Sequence, residues 1–524
     1  MRSTIYTLIL EIITKHFGQE EILAFDVLHP PKPEFGDYSS NIAMVLAKRL
    51  KRNPLEIAGE LVEVLQKNVL FSRVEVVAPG YINFFLSQRY TTKIIQDIAK
   101  ENGWKSLLET KEKKRILVEF ISSNPTGPIH LGNARGGPAG DTLARVLEVI
   151  GHEVWREFYV NDYGKQIKVL GHSILKDEEA QYRGEYIDIL ARKKPRDLRD
   201  AFEVGMWAAG EILAMHIKPT CKHLDIRFDQ FFSERSLHES GQVDAMLEML
   251  REKGMVYKKE DALWYRSTDL GDDKDRVIVR SDGNPTYRLA DFAYHKEKFD
   301  RGFDRLITFL GADHLGEARE MKAFIEQVLE KKGAYDTVLT QFVRVMRGGK
   351  EVKMSKRNGT YYAMDDLIEE VGKDAVRFIF LSYTSSSHIT FDIDKAKEQS
   401  EKNPVYYVQY AHARIASILK KAGSEFEGEV DLSLLTEAKE RELIMMILRY
   451  TDIVEMVAQT YETHRLPHYA RELADAFHSF YAACRVIDGE DRERSKARLE
   501  LARASQRTLA HALSLCGVSA PEKM

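Results

Sequence analysis

Cysteine is scarce in this sequence: its 524 residues include only Cys221, Cys484 and Cys516. The three lie far apart and form no CxxC pair, which excludes a disulfide scaffold and an all-cysteine zinc site. Such sparse cysteine is typical of a reducing compartment, so we predict a cytoplasmic location. His216, Cys221 and His223 lack a second pair of ligands at zinc spacing, so we expect no protein-bound metal.

Long hydrophobic runs are also missing. No stretch approaches the roughly 18 apolar residues of a membrane span, so we expect no membrane partner. The apolar stretch near the start is interrupted by Glu11 and has no small-residue cleavage site, which predicts an amphipathic helix and not a signal peptide. The net charge of -4 neither indicates nor excludes a nucleic-acid partner, because a basic face can be offset elsewhere.

The remaining pattern divides the chain into three regions. Residues 1–108 mix helical periodicity with strand-like runs, and the charged stretch TKEKKR that follows favours a linker. Residues 109–394 alternate strands, such as 337–346, with helices, which predicts an α/β domain with a doubly wound, Rossmann-type parallel sheet. A mainly helical insert is expected at about 177–274. Residues 395–524 have almost continuous helical spacing, so the chain should combine an α+β N-terminal domain, the α/β domain and an all-α C-terminal domain.

The segment NPTGPIHLGN, residues 124–133, follows a predicted strand and opens a predicted helix. The unpaired N–H groups of a helix N-terminus suit phosphate, and Gly132 would let a nucleotide approach the backbone closely. His130 and Asn133 are three residues apart and share one face of the first turn. An ordinary capped strand–helix loop explains this segment alone equally well.

The tetrad Lys353-Met354-Ser355-Lys356 lies between RGGK and RNG. Cations on a glycine-flanked loop can close over a pyrophosphate and neutralise the charge that develops during transfer from the α-phosphorus. The alternative is a solvated basic loop.

Together the two segments resemble the HIGH and KMSK signatures of class I aminoacyl-tRNA synthetases. FGDYSSNIAMVLAK, PTYRLADFAYH, GADHLGE and the terminal APEKM extend the resemblance, over nearly the whole chain, to the arginyl-tRNA synthetases. One departure is that the HIGH signature usually ends in histidine, where this chain has Asn133. Asparagine keeps a donor and an acceptor but cannot be cationic.

The resemblance implies a ligase that joins L-arginine to tRNA(Arg) with ATP and Mg²⁺. Arginyl-adenylate would form first, on an enzyme with tRNA already bound, and the 2′-hydroxyl of the terminal adenosine would then take the arginine. The expected catalytic residues, which stabilise the spread negative charge, are His130, Lys353 and Lys356. The expected ATP-binding residues are His130, Gly132, Asn133, Gly311, Asp313, His314, Met354 and Lys356.

Arginine selection can be argued from charge geometry. A carboxylate matches the planar fork of a guanidinium, which a lysine ammonium cannot reproduce. Tyr287 and Asp291 lie one turn apart if their segment is helical. The alternative without function is that Asp291 is an exposed charge on a helix and Tyr287 an aromatic residue of the core. The resemblance makes Asp291 the guanidinium reader, with Glu119 and Asn124 holding the α-amino end. The full set of expected arginine-binding residues is Glu119, Asn124, Gln166, Tyr287 and Asp291.

Contacts to tRNA are expected at both ends of the chain. The aromatic, polar and basic mixture around residues 35–53 suits phosphate contact and stacking, and the helical region carries two tyrosines that either stack on bases or lie buried. The expected residues are Phe35, Asp37, Asn41, Tyr407, Tyr410 and, by resemblance, Met524. We expect a monomer, because no dimer seam is visible. A class I synthetase for another amino acid and a catalytically silent tRNA-binding paralogue are the alternatives.

Overall fold

The computed structural model describes residues 1–18, 24–100, 102–110, 112–352 and 363–524. Its N-terminal part is a layered α+β unit. The strands are β1 (Val27–Leu28), β2 (Tyr38–Ser40), β3 (Phe71–Val77) and β4 (Tyr81–Leu86), antiparallel in the order β1-β2-β4-β3. The helices are α1 (Arg2–Phe17), α2 (Ile42–Leu50), α3 (Pro54–Leu65), α4 (Gln88–Ala99) and α5 (Lys105–Leu108). Ile82, Phe84 and Leu86 alternate along β4 and are buried, so one face of the sheet packs on the core.

The rest of the chain alternates strands and helices before it becomes helical. The strands are β5 (Arg115–Glu119), β6 (Glu153–Val160), β7 (Gln230–Ser233), β8 (Val256–Lys259), β9 (Ala262–Tyr265), β10 (Arg276–Val279), β11 (Arg305–Gly311), β12 (Tyr335–Thr340), β13 (Val343–Arg347), β14 (Lys350–Glu351) and β15 (Ile389–Asp392). The helices are α6 (Leu131–Ala134), α7 (Gly136–Val149), α8 (Lys165–Leu175), α9 (Glu185–Lys193), α10 (Ala201–Ile212), α11 (Lys218–His223), α12 (Glu234–Glu239), α13 (Gln242–Glu252), α14 (Tyr287–Asp300), α15 (Leu315–Ala323), α16 (Met364–Val371), α17 (Lys373–Leu381), α18 (Ile393–Lys397), α19 (Pro404–Ala422), α20 (Ala438–Thr460), α21 (Arg465–Ala483) and α22 (Arg492–Leu515).

The central feature is a parallel sheet in the order β12-β11-β5-β6-β7, which confirms the predicted doubly wound fold. Leu117 and Val118 of β5 are fully buried, as a strand covered on both faces requires. The order reverses between β5 and β11, because the chain leaves β5 towards β6 on one side and adds β11 on the other. In such sheets ligands bind beyond the carboxyl ends of the strands at this reversal.

Two details of this region differ from the sequence-based expectation. The short strand β7 lies inside the segment 177–274, yet it pairs with β6 as an edge of the main sheet. The single strand expected over 337–346 is two strands, because β13 leaves the main sheet and pairs with β14 and β15. The chain turns at Gln341 and Phe342, whose carbonyls accept hydrogen bonds from Arg135 at 2.6 and 3.2 Å. This long-range anchor is not visible in local sequence.

Helices α19 to α22 form the predicted helical bundle, and the buried face of α19 includes Val408 and Ile415. The bundle contacts the N-terminal unit, where the Tyr38 hydroxyl donates to Asp452 on α20 at 2.7 Å. Among the residues that the structure describes, no helix combines the length and the apolarity that crossing a bilayer requires.

Candidate active site

A cleft of ≈ 1310 Å³ opens at the carboxyl ends of β5 and β11. Its position matches the crossover point of the sheet, where a doubly wound fold binds ligands. The structure brings many of the predicted site residues to this cleft: Glu119, Asn124, His130, Gly132, Asn133, Gln166, Tyr287, Asp291, Gly311, Asp313 and His314 line it. Lys353, Met354 and Lys356 lie outside the described residues.

A strained turn follows β5 at the floor of the cleft. Ile121 and Ser122 have φ values of 68° and 39°, in the left-handed region that a β-branched residue rarely occupies. The Ser122 hydroxyl donates to Glu119 Oε1 at 2.9 Å and accepts from the backbone N–H of Tyr159 at 3.1 Å. These bonds hold the turn in a costly conformation, which directs the end of β5 into the cleft.

The segment that contains His130 forms the next wall. The His130 side chain caps α6 by accepting from the N–H of Asn133 at 3.4 Å. After this single turn, α7 begins at Gly136 and packs closely on the strand end. A Cβ at Gly140 would lie 2.3 Å from the Phe120 ring, so glycine is required at this crossing.

Backbone hydrogen bonds hold the described residues on either side of Lys353 and Lys356, and those on the C-terminal side lie beside His130. Before this segment, the N–H of Val352 donates to the carbonyl of Val345 at 2.9 Å. After it, Ala363 forms an antiparallel bridge with His130, and the next N–H, that of Met364, donates to the Ile129 carbonyl at 3.0 Å. Residue 363 of the chain is therefore held against the His130 segment.

Helix α14 supplies the opposite wall, and its helical structure meets the condition under which Tyr287 and Asp291 lie one turn apart. Both residues line the cleft from the same face of the helix, since they are one turn apart. Tyr287 is 50% exposed, and its hydroxyl donates to Glu317 on α15 at 3.4 Å. The ring therefore stands at the open side of the cleft, and the carboxyl group of Asp291 lies deeper.

The pKa of the Asp291 carboxyl lies far above its ordinary value of 3.8. Burial, followed by repulsion from Glu234, Glu119 and Glu317, raises the pKa of its carboxyl to about 8, against a weaker opposing effect of Lys298. No ion pair to the Asp291 carboxylate forms within the described part of the chain. A cationic ligand would satisfy this group, because a buried carboxylate needs a partner to remain charged.

Sequence reasoning missed two charged groups of this region. Glu234 begins α12, lines the cleft and is buried, but it follows the unforeseen strand β7, so no local pattern marks it. Lys298 is fully buried on α14, with its Nζ 2.6 Å from Glu119 Oε2. Its spacing of seven residues from Asp291 places it on the same helix face, a signal that the sequence did offer.

The ATP-side candidates lie where β11 ends. Gly311, Asp313 and His314 line the cleft there, and His314 Nδ1 contacts a Glu317 carboxylate oxygen. That contact raises the pKa of the His314 imidazole, which favours its charged form. Within the described ranges, no cluster of three or more histidine, cysteine and acidic side chains is arranged to hold a metal ion.

Of the three predicted tRNA-binding residues in the N-terminal unit, one is exposed and two are hydrogen-bonded within the chain. Phe35 is 37% exposed. In contrast, the Asp37 carboxylate is engaged inside the molecule, where it accepts from the N–H of Leu86 at 2.7 Å and from Arg441 at 3.0 Å. The Asn41 side chain exchanges hydrogen bonds with Asp26.

The helical region presents a similar division. The Tyr407 hydroxyl donates to Asp475, and burial together with this carboxylate raises its pKa. Tyr410 is 44% exposed, stacks on Tyr406 and faces outward, and Met524 is 54% exposed.

Family comparisons agree with this architecture. A model of the "Arginyl tRNA synthetase N terminal domain" matches residues 3–86, and a model of the "tRNA synthetases class I (R), catalytic domain" matches residues 95–193 and 198–414. A "DALR anticodon binding domain" matches residues 408–524. The chain belongs to the arginyl-tRNA synthetase family. The resemblance inferred from the HIGH and KMSK segments is thereby confirmed.

Similar proteins of this family span almost the same length. The arginine–tRNA ligase of Bacillus velezensis is 42% identical over 94% of this chain and 93% of its own. The arginine–tRNA ligase of Carboxydothermus hydrogenoformans is 40% identical over 97% and 96%. The structure of Thermus thermophilus arginyl-tRNA synthetase is similar over 100% of both chains, with a TM-score of 0.82 at 23% identity, which supports the shared fold.

Proposed function

We propose that this chain is an arginine–tRNA ligase whose cleft binds ATP and L-arginine side by side. The carboxylate of arginine attacks the α-phosphorus of ATP, pyrophosphate leaves, and arginyl-adenylate forms. In the second step the 2′-hydroxyl of the terminal adenosine of tRNA(Arg) attacks the adenylate carbonyl and releases AMP. The protein supplies position and charge, with no protein nucleophile. Mg²⁺ enters with ATP as part of the substrate.

The observation that carries this proposal is the pairing of Ala363 with His130. It anchors the chain seven residues after Lys356 at the wall that offers His130 and Asn133 to a triphosphate. Lys353 and Lys356, together with His130, then stabilise the charge of the departing pyrophosphate. The backbone N–H of Asn133 donates to His130 Nδ1, so this cap does not depend on the side chain at position 133. The turn therefore stays capped although asparagine replaces the usual histidine.

Substrates divide between the two walls in this proposal. ATP binds along the ends of β5 and β11, between a wall with His130, Gly132 and Asn133 and a wall with Gly311, Asp313 and His314. Met354 and Lys356, which lie outside the described residues, complete the proposed ATP-binding set. Arginine extends towards α14. Asp291 reads the guanidinium beside Tyr287, while Glu119, Asn124 and Gln166 hold the α-amino and carboxylate end.

The test is aminoacylation of total tRNA with radiolabelled arginine or lysine. Wild type should charge arginine and not lysine, and Asp291→Ala should lower kcat/KM for arginine by at least about 100-fold, because a buried charge-assisted bond is lost. ATP–pyrophosphate exchange should require tRNA. Charging of lysine would support a synthetase for another amino acid, and tRNA binding without adenylate formation would support a silent paralogue.

For tRNA recognition we propose three units: residues 1–108 bind the outer corner, 109–394 (with the insert 177–274) hold the acceptor end, and 395–524 bind the anticodon. The exposed candidates are Phe35, Tyr410 and Met524. Asp37, Asn41 and Tyr407 are retained as candidates, although each has a partner within the chain. A monomeric state and a cytoplasmic location are part of the same proposal, to be tested by light scattering and cell fractionation.

A further inference from the structure

Lys298 has no assigned role, and its surroundings are unusual. Its side chain is fully buried, and its Nζ lies 2.6 Å from Glu119 Oε2 and 3.9 Å from the centroid of the Tyr294 ring. It does not line the cleft, whereas Glu119 and Tyr294 do. The ammonium group therefore stands directly behind the wall that faces the amino acid.

The Glu119 carboxylate is fixed at both oxygens. Oε2 accepts from Lys298, and Oε1 accepts from the Ser122 hydroxyl at 2.9 Å. A carboxylate oxygen accepts more than one hydrogen bond, so each can still accept a donor from the cleft. The two contacts fix which lone pairs remain free and where they point.

The position also has an electrostatic consequence. Glu119, Glu234, Asp291 and Glu317 all line one cleft, where like charges repel each other. Lys298 offsets part of this charge from a place that no substrate occupies. Removing it would leave Glu119 buried without a cation, and an unpaired buried charge rearranges, takes up a proton or draws in water.

We infer that Lys298 is a positioning residue for arginine binding, which holds the Glu119 carboxylate in the orientation that receives the α-ammonium group of the amino acid. This inference rests on the proposed function, since it assumes that Glu119 contacts arginine. It extends that function by one residue, because Lys298 is hydrogen-bonded to Glu119 and acts on arginine chiefly through it, with a weaker electrostatic effect on Asp291.

The experiment compares Lys298→Met with wild type in steady-state aminoacylation. The KM for arginine should rise at least about tenfold, with kcat and the KM for ATP changed less than about threefold, because the lost contact serves ground-state binding. Lys296→Met is the matched control. Lys296 lies on the same helix, is partly exposed and, among the described residues, forms its ion pair with Asp300, so the KM of this variant for arginine should not change.

A second probe asks which end of arginine is affected. 5-Guanidinopentanoic acid has the guanidinium and the carboxylate of arginine but lacks the α-amino group. The inhibition constant of this analogue should change much less between wild type and Lys298→Met than the KM for arginine does, because the analogue never makes the α-ammonium contact that the substitution weakens. An equal loss for both ligands would indicate general damage to the pocket and would overturn the inference.

A double variant keeps the test decisive if Lys298→Met folds poorly. Glu119→Gln/Lys298→Met removes both charges and leaves none unpaired, so it should fold. If Lys298 acts chiefly through Glu119, the double variant and Glu119→Gln should have KM values for arginine within about threefold of each other, and additive effects would refute the inference. Wild type that fails to charge arginine would refute the proposed function itself. Wild type that charges arginine, beside a folded Lys298→Met with unchanged KM, would refute only the role of Lys298.

Discussion

Arginine binding should be coupled to the ionisation of Asp291. The raised pKa of about 8 means that this carboxyl is mostly protonated at pH 7 in the free protein. The guanidinium of arginine requires the carboxylate, so binding must expel this proton. The apparent dissociation constant for arginine should therefore fall about 15-fold between pH 6.5 and pH 8, where arginine itself keeps its charge.

The same ionisation lowers the stability of the folded protein as the pH rises, whereas it strengthens arginine binding. The carboxyl of Asp291 has an ordinary value of 3.8 in an unfolded chain, so the unfolded state ionises first as the pH rises. The folded state then holds more protons than the unfolded state, and stability falls from about pH 4 to about pH 8. Asp291→Asn removes this effect, and we expect the variant to be more stable than wild type at pH 7.5 by about 1–3 kcal/mol, since the group is partly open to the cleft.

Calorimetry measures both consequences. Titration with arginine at pH 7 in two buffers of different ionisation enthalpy should report the release of close to one proton, and none for Asp291→Asn, which should bind arginine weakly. Urea unfolding at pH 5 and pH 7.5 should show a larger stability advantage of Asp291→Asn at the higher pH, because the effect accumulates between about pH 4 and pH 8. A pH-independent affinity, or an Asn variant that is less stable at pH 7.5, would refute the assignment of this proton to Asp291.

Three further predictions concern packing and tRNA contact. Gly140→Ala should lower the free energy of unfolding by about 1–3 kcal/mol in urea denaturation, because the new Cβ meets the buried Phe120 ring. The control Gly210→Ala, on the open side of α10, should be neutral or stabilising by up to ~1 kcal/mol. Arg377→Met should cost about 2–4 kcal/mol in the same assay, because it removes a fully buried donor from the carbonyls of Leu224 and Cys516 and from Asp141, which keeps its ion pair with Arg145; a loss below ~1 kcal/mol would contradict this. Tyr410→Ala should raise the KM for tRNA about threefold to thirtyfold in aminoacylation through lost base stacking, and an unchanged value would exclude that contact.

Local sequence was sufficient for features that depend on neighbouring residues. The spacing of Tyr287 and Asp291 was enough to place both on one face once their segment is a helix, as α14 is. The strand–helix alternation around β5 and β6 predicted a parallel sheet, because only a crossover joins parallel strands. The motif segments predicted a phosphate-binding turn at the end of a strand, and such turns meet at one edge of a parallel sheet.

Features that depend on distant partners were not visible in the same way. The division of 337–346 into β12 and β13 depends on Arg135, more than 200 residues away along the chain. The strained turn at Ile121 persists only because Ser122 bonds to groups on two strands. Sequence patterns record the preference of a residue for helix or strand, but not which remote donor stabilises it.

The sequence by itself determined the family of this protein, its α/β class and which residues are candidates for its chemistry, because residue types and spacings carry that information. Tertiary structure alone decided the charge state of the candidate site. Glu234, Glu119 and Lys298 come from three separate elements, and only the fold brings them around Asp291 and excludes enough water for their charges to act on one another.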